Sequence, residues 1–400
     1  MTTPFQLHDV DVEQFTHELM ALRRAANERL GEKDFKHLKK IERWGKWCTA
    51  VGYGTAWIIP NPVSALLIST GNVNRWANIG HPIMHRGYDK IPGIPERYTS
   101  KGFAKGFRRW LDWADWIDPA AWNHEHNRLH HYNLGEASDP DQVELNLEWL
   151  RETNLPMAVR YAAIGLFALS WKPFYYAPNT LKVLGKKRTL APGEVRQPGT
   201  LAQLKYWNPL TPEARELWLK CFLPYMALRF VAIPSLFIVS PLGPIGAVNV
   251  FINSLLAEVF TNIHSFVVIA PNHTGDDLIL FEEQANNKSE FYLRQITGSA
   301  NFRTGGDFND FLHGWLNYQI EHHLWPDLPM SEYQRLQPQV KALCAKYGIP
   351  YVQESVWKRV KKTVDVMVGK TSMPRQGAVS GNLRPGVLAG EVTTNAKLPL

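Results

Sequence analysis

Cysteine is scarce in this chain of 400 residues, which contains only Cys48, Cys221 and Cys344. The three are widely separated, and none belongs to a Cys-x-x-Cys pair. This scarcity excludes a disulfide framework and a zinc ribbon, and it suits a reducing compartment. The amino terminus also lacks a basic segment followed by an apolar run, so we expect no cleavable signal peptide.

The overall hydrophobicity is also low, because the mean hydropathy of −0.26 is typical of a soluble protein. The average hides segregated apolar segments, and the 15 tryptophans suit a membrane interface or an apolar substrate tunnel. The net charge of +7 does not require nucleic acid, since basic residues beside apolar segments mark the cytoplasmic side of a membrane. We therefore predict a lipid bilayer, and no nucleic acid, as a partner.

Four apolar segments are predicted to cross the membrane in two hairpins. The first apolar stretch, 47–79, is too long for one span of about 20 residues and is interrupted by Pro60-Asn61-Pro62. The second pair is joined by Ser240-Pro241-Leu242-Gly243-Pro244, a turn signal. For the first pair, a hairpin in a soluble core is the alternative. The predicted spans are about 44–59, 63–79, 217–240 and 243–270.

A fifth apolar segment, 155–171, is predicted not to cross, because it contains Arg160 and leads into a basic loop. If the histidine clusters on either side of it form one site, an even number of spans must separate them. The prediction is an all-α integral membrane protein with four transmembrane helices in two hairpins, capped by a cytosolic helical domain that carries the histidines. Both termini then lie on the cytoplasmic side with the basic residues, as the positive-inside rule expects.

The predicted organisation has four parts. Residues 1–46 form a basic cytosolic helical segment, which we expect to lie against anionic lipid. The membrane domain is 47–330, and 331–369 form a cytosolic helical extension. The last part, 370–400, is rich in Gly, Pro, Ser and Thr and is predicted to be a disordered tail.

Histidine is concentrated in a few places. Ten of the 14 lie in or near four clusters: His81, His85, His124, His126, His130, His131, His264, His273, His322 and His323. Spacing of i, i+4 within the first two clusters puts imidazoles on one helix face, and imidazole is the commonest metal ligand. Eight clustered imidazoles exceed the four ligands of one zinc ion and suit two ions with open positions. The metal is not named by this count, because Fe, Zn, Cu and Ni all accept imidazole.

Several further residues are candidates for the same site, as ligands or as hydrogen-bond partners of ligands. His124 lies outside the regular spacing, and His264 lies inside the last span, where a polar side chain needs a partner. Glu321 and Asp307 are candidate acceptors for the second N–H of a ligating imidazole. Gln319 opens the last cluster. Surface or core packing is the simpler interpretation for His8, His17, His37 and His313.

The order of the clusters, HxxxH, then HxxxHH, then QxxHH around two membrane hairpins, resembles the membrane fatty acid desaturases from about residue 75 to 330. The segment Asn317-Tyr318-Gln319-Ile320-Glu321-His322-His323-Leu324-Trp325-Pro326 is similar to the third histidine box of the acyl-lipid and front-end members. Gln319 stands where other branches have a first histidine. A fused haem domain, common in front-end members, is not expected, because no His-Pro-Gly-Gly signature occurs.

The resemblance implies a non-haem di-iron centre that uses O2 and two electrons to insert a double bond into a fatty acyl chain. The electrons would come from a separate donor such as a ferredoxin or a cytochrome. The acyl chain would be carried by a lipid, CoA or acyl-carrier protein. Such a reaction needs a metal centre, because side-chain acids and bases cannot break an unactivated aliphatic C–H bond. Matched cluster by cluster, the implied ligands are His81, His85, His126, His130, His131, His273, His322 and His323.

Three other functions remain open from the sequence. A hydroxylase or ketolase acting on an alkane, carotenoid or sphingolipid could use the same histidine spacing. A membrane hydrolase could use zinc, and iron content and O2 dependence would separate it from an oxidase. A non-enzymatic membrane protein could carry metal-binding loops. The third-box similarity favours desaturation.

Overall fold

The computed structural model describes residues 11–189 and 207–377. These residues are mostly helical with little sheet, in agreement with the predicted all-α class. The α-helices are α1 Val12–Arg29, α2 Glu32–Ala56, α3 Pro62–Val73, α4 His81–Met84, α5 Arg108–Asp112, α6 Pro119–His124, α7 Val143–Asn146, α8 Glu148–Arg151, α9 Met157–Ala168, α10 Ala177–Thr189, α11 Pro212–Leu217, α12 Leu223–Met226, α13 Ile233–Ser235, α14 Pro244–Ile269, α15 Lys288–Thr297, α16 Asp307–Leu312, α17 Gln319–Leu324, α18 Met330–Lys346 and α19 Val356–Met367. The strands are β1 Leu280–Phe281, β2 Asn301–Phe302, β3 Gln353–Glu354 and β4 Arg375–Gln376.

Short turns of other helix types extend these elements. The π-helical turns are Asn74–Gly80, Glu125–His130, Lys172–Tyr176, Trp218–Phe222 and Ala227–Ala232. The 3-10 turns are Glu96–Tyr98, Leu236–Val239, Ala270–Asn272 and Leu316–Tyr318. The helical run from α11 to α13 therefore alternates between α and π geometry, and it ends in the 3-10 turn Leu236–Val239.

The first hairpin consists of α2 and α3 and turns where the sequence predicts it. Asn61 caps α3, because its side chain accepts a hydrogen bond from Ser64 N at 2.8 Å. Pro62 follows in the first helical turn, where its missing N–H costs nothing. Gly52 of α2 permits close packing of the pair, since an added Cβ there would lie 2.8 Å from the Ile68 side chain.

The second hairpin holds two helices long and apolar enough to cross a membrane, Ala214–Val239 and Pro244–Asn272. The predicted spans 217–240 and 243–270 fall on these helices. Gly243 between them has φ +56°, which glycine adopts without strain. The other predicted spans, 44–59 and 63–79, do not reach the same length and apolarity among the described residues, because α2 begins with a charged half and α3 has 12 residues.

Two asparagines of α14 bind the turn of the first hairpin. Asn249 Nδ2 donates to two backbone carbonyls of that turn at 3.0 Å each. Asn253 donates to Ala56 O at 2.8 Å and accepts from Asn61 N at 2.9 Å. Both asparagines lie within about three turns of the start of α14. The turns of the two hairpins therefore lie at the same end of the bundle.

The apolar segment around 155–171 forms α9, which has 12 residues and is about 18 Å long. This is shorter than the ~30 Å hydrocarbon core of a bilayer. The Arg160 guanidinium donates to the backbone carbonyls of Arg151 at 2.9 Å, Leu155 at 3.1 Å and Val368 at 3.0 Å. These bonds tie α9 to the end of α19.

Part of the basic amino-terminal segment packs against the carboxyl-terminal half of the protein. Helix α1 packs against α15 and α18. Arg23 pairs with Asp327 at 3.0 Å, and Arg29 pairs with Glu332 at 2.8 Å. The expectation that this segment lies on anionic lipid is wrong for these arginines, because carboxylates beyond the last histidine cluster neutralise them.

Two pairs of parallel strands fasten the carboxyl-terminal region. In the β1–β4 pair Leu280 is opposite Arg375, and in the β2–β3 pair Asn301 is opposite Gln353. Strand β4 belongs to the predicted disordered tail, so the predicted boundary at 370 is too early. The remainder of that tail, 378–400, lies outside the described residues.

Candidate metal centre

The clustered histidines lie on short helical segments that follow the long helices. A π turn precedes α4, and a second π turn contains most of the second cluster, as is common at functional sites. In that second turn His131 N donates to His126 O, five residues earlier, at 3.2 Å. This wider turn lets His130 and His131 flank the face of His126, so one short segment contributes three imidazoles.

Seven imidazoles form two groups, each with ligand atoms within 4.8 Å of one another. The first histidine group is His81, His85, His126 and His322. The second histidine group is His130, His273 and His323. Segments far apart in sequence thus meet at one place, and the two groups match the two-ion arrangement predicted from the number of histidines.

His131 lies between the two groups. Its ring stacks on that of His323, with centroids 4.1 Å apart. Its centroid is also 4.5 Å from that of His85 and 4.8 Å from that of His322. All eight histidines predicted as ligands therefore lie together.

Several imidazoles are fixed through Nδ1. His130 Nδ1 lies 2.9 Å from Asp139 Oδ1, and His323 Nδ1 donates to Gln295 Oε1 at 2.9 Å. His322 Nδ1 donates to the Tyr333 hydroxyl at 3.3 Å, and His273 Nδ1 donates to Gly298 O at 3.3 Å. Such bonds set the tautomer and the ring orientation, and they leave Nε2 as the metal-binding atom.

The inward-facing nitrogens fit metal ions. Among the described residues, Nε2 of His85, His131, His322 and His323 is buried without a hydrogen-bond partner. Buried polar atoms without partners are rare in native proteins and call for an explanation such as an ion. Nε2 of His81 lies 3.1 Å from Nε2 of His126, a separation that suits two ligands of one ion. The donor set is nitrogen-rich, as imidazole-binding transition metals prefer.

The electrostatics keep most of these rings neutral. Burial lowers the pKa of His85, His131, His322 and His323 well below its ordinary value. A ligating imidazole must be neutral, so this direction favours metal binding. His130 is the exception: burial opposes its charge, but Asp139 and Asp141 outweigh burial and raise its pKa.

Gln319 lies at the second histidine group. Its Nε2 donates to His273 Nε2 at 2.8 Å, and its Oε1 is buried without a partner among the described residues. This hydrogen bond occupies the Nε2 lone pair of His273, so the amide must move aside for His273 to bind a metal ion. The glutamine therefore occupies the position where the sequence expects a residue of the site.

The other candidates lie elsewhere. Neither His124 nor His264 belongs to a histidine group, and His264 Nε2 is bound to Leu312 O at 2.6 Å. Asp307 accepts from Lys40 at 2.7 Å and lies 3.3 Å from His37 Nε2, so it partners residues of α2 and none of the clustered imidazoles. Glu321 is fully buried and accepts from Asn301 at 2.8 Å and from Tyr351 at 2.6 Å, both outside the histidine groups. Burial raises the pKa of Glu321 to about 7.

The sequence interpretation missed the residues that do hold the rings. Asp139 is one of several carboxylates near the second cluster, and its position nine residues after His130 gives it no special signal. Gln295 and Tyr333 belong to α15 and α18, which reach the site by tertiary packing. No local pattern identifies them.

An apolar cavity of about 120 Å³ adjoins the histidines. His81, His126, His130 and His273 line one part of it. Aromatic and aliphatic side chains form most of the remaining wall: Trp76, Trp122, Val143, Leu147, Phe167, Trp171, Tyr175, Tyr176, Phe266, Ile269, Ala270, Leu316 and Met367. Such a lining suits an apolar ligand positioned beside a metal centre.

Comparison with known proteins agrees with this geometry. The NADPH-dependent stearoyl-CoA 9-desaturase of Mycobacterium tuberculosis is 27% identical over 384 residues, 92% of this chain and 82% of that protein. The acyl-lipid (7-3)-desaturase of Rebecca salina is 28% identical over 320 residues, 76% of this chain and 63% of that protein. Fatty acid desaturase 3 of Bos taurus is 26% identical over 310 residues, 76% of this chain and 60% of that protein.

The resemblance to the membrane fatty acid desaturases, inferred from the order of the histidine clusters, is confirmed by a match to a model of that family. The family described as fatty acid desaturase matches residues 55–355, most of the chain. The chain therefore belongs to the fatty acid desaturase family of oxidoreductases.

Proposed function

We propose that this desaturase removes two hydrogens from neighbouring carbons of a fatty acyl chain at a di-iron centre. The first histidine group would hold one iron and the second the other, with His131 between them. The observation that carries this proposal is the pair of histidine groups beside an aromatic-lined cavity. Zinc has no redox chemistry, so a zinc centre at these histidines could not support oxidation of an acyl chain.

The reaction balances with O2 as the oxidant. A CH2–CH2 unit, one O2, two electrons and two protons give one CH=CH unit and two water molecules. When bound, the two irons would supply the activation of O2 that breaking an unactivated C–H bond requires. The electrons come from a separate carrier.

The chain's own residues position the substrate and exclude water. The cavity walls around Trp76, Trp122 and Trp171 are mostly apolar, so the acyl chain would be held mainly by shape. Its depth of insertion decides which carbons lie beside His81, His126, His130 and His273. Asp139 holds His130, one of the imidazoles that line this cavity.

The membrane arrangement we propose has four spans in two hairpins, with the histidines and both termini on the cytoplasmic side. The asparagine bonds from α14 support it, because they place both turns at one end of the bundle. Exposed apolar side chains occur on both hairpins: Trp47, Val51, Ile58, Ile59, Val63, Leu66, Val231, Leu236, Ile238, Val239, Ile245 and Val248. The short α9 stays on the cytoplasmic side, held by Arg160.

Cysteine labelling tests this topology. In a Cys48→Ala background, an impermeant maleimide should label Ile59→Cys and Leu242→Cys from the outer face of sealed vesicles. Lys358→Cys on α19 should react only from the cytoplasmic face. The remaining native cysteines are buried. Labelling of Ile59→Cys and Lys358→Cys from the same face would contradict the four-span arrangement.

Lipid analysis tests the reaction. Expression of the full chain in a host without polyunsaturated lipids should produce acyl chains with a new double bond, dependent on O2 and iron. Ala270→Phe, which fills the apolar cavity, should lower this product at least about tenfold while iron content is retained. The matched control Ala162→Phe lies on the exposed face of α9 and should leave the product unchanged. An inserted oxygen, or unchanged lipids with full iron content, would overturn the desaturase proposal.

A further inference from the structure

A second and larger cavity reaches the histidines from another side. This basic groove has a volume of about 1360 Å³, and His85, His131 and His323 lie among its lining residues. It shares no lining residue with the apolar cavity, which is lined by His81, His126, His130 and His273. The clustered imidazoles thus lie between the apolar cavity and the basic groove.

The charge of the groove is strongly one-sided. Among its lining residues are seven basic side chains: Arg23, Arg86, Lys105, Arg109, Arg128, Lys220 and Lys288. The acidic residues are Asp118 and Asp327, and both are already engaged. Asp118 caps α6 by accepting from Ala120 N and Ala121 N at 2.9 Å each, and Asp327 pairs with Arg23 and Lys90.

Several of the cations have no ion-pair partner in the described part of the chain. Lys105, Arg128 and Lys288 are exposed, and none of them contacts a carboxylate there. Their charges project a positive potential over the mouth of the groove, which attracts an acidic partner and raises its rate of encounter.

We propose that the basic groove is the docking surface for an acidic one-electron carrier protein, which delivers electrons through the histidines of its floor. This inference rests on the proposed desaturase function. Each carrier molecule would give up one electron to a di-iron centre held by these histidines, so two encounters would serve each double bond. His85, His131 and His323 are the ligand candidates closest to a partner docked there.

The physical demands on such a partner match the groove. Two successive carriers must bind and leave during one turnover, which favours charge-steered and short-lived contact over a large apolar interface. The acyl chain needs the opposite surroundings and has them in the apolar cavity. A phosphate-bearing acyl carrier would also be drawn to the basic residues, but its chain would have to pass the imidazoles to reach that cavity.

The test uses the double variant Lys105→Glu/Lys288→Glu of the full iron-loaded enzyme in lipid nanodiscs. The probe is an acidic plant-type [2Fe–2S] ferredoxin, reduced beforehand. Its oxidation by the enzyme is followed by stopped flow, and iron reduction is followed by Mössbauer spectroscopy. At low salt the second-order rate constant should fall at least about tenfold relative to wild type. The wild-type rate constant should fall as the salt concentration is raised, and the difference between wild type and the double variant should become smaller.

Two controls separate docking from catalysis. Lys358→Glu reverses an exposed charge on α19, outside the groove, and should change the ferredoxin rate less than about twofold. Single-turnover desaturation by dithionite-reduced enzyme needs no carrier, and it should be equal in the double variant and wild type.

Three results would overturn the proposal. The first is an unchanged ferredoxin rate in the double variant, and the second is a wild-type rate that does not depend on salt. The third is an equal loss of dithionite-driven single turnover that a higher concentration of acyl substrate restores. The last result would assign the groove to the acyl carrier. If dithionite-reduced wild type makes no double bond, the desaturase function fails instead. Iron reduction by ferredoxin still reports on docking in that case.

Discussion

Replacing His322 by alanine is expected to remove iron from the first histidine group and to abolish desaturation. His322 is buried, its Nε2 lacks a hydrogen-bond partner among the described residues, and its ring lies 4.5 Å from that of His81 and 4.7 Å from that of His85. Losing a partner of a ligand typically lowers metal affinity 10–100-fold, so losing a ligand should cost more than about 100-fold. Iron per chain and product per minute measure the effect.

The matched control is His17→Ala, which removes an exposed imidazole of α1 far from the histidine groups. Its iron content and activity should equal those of wild type. Far-ultraviolet circular dichroism of both variants separates loss of metal from loss of fold. Full iron content with wild-type activity in His322→Ala would remove this residue from the centre and weaken the two-group assignment.

Asp139→Asn is expected to have the second largest effect, through the orientation of His130. Asp139 Oδ1 lies 2.9 Å from His130 Nδ1 and also accepts from Asp141 N at 2.9 Å, while Oδ2 accepts from Gly135 N at 3.1 Å. Asparagine keeps the shape but removes the charge, so iron affinity should fall about 10–100-fold. Titration with Fe²⁺ measures the dissociation constant.

Asp89→Asn is the control for this variant. Asp89 also holds a loop, since it accepts from Ser100 N at 2.8 Å and from Ser100 Oγ at 2.6 Å, but it does not contact an imidazole. It should bind iron as wild type does. Equal iron affinities for the two variants and wild type would show that the charge of Asp139 does not support His130.

The ligand candidates are readable in the sequence because their residue type and spacing are themselves the signal. Their partners are not, because a carboxylate or an amide becomes a partner only through packing. Asp307 illustrates this point: it follows the strand that leads to the last cluster, yet its charge is drawn to Lys40 of α2. Tyr333 reaches His322 only because α18 folds back over α17.

The fold likewise has features that the sequence predicts and features that it does not. Both hairpin turns follow from prolines and glycine at positions that helices cannot continue through. The pairing of α1 with α18 includes ion pairs between residues about 300 positions apart, such as Arg29 with Glu332, and no local pattern encodes it. Strands of two residues, such as β1 and β4, are too short to leave a periodic signature.

The carboxyl-terminal extension changes what counts as the smallest working unit of this enzyme. The matched family region ends at residue 355. Beyond it, Met367 forms part of the apolar cavity wall and β4 pairs with β1. The Val368 carbonyl also accepts a hydrogen bond from Arg160. The portable catalytic module therefore runs to at least Gln376, and transplanting the active site to another scaffold would require this segment as well as the histidine boxes.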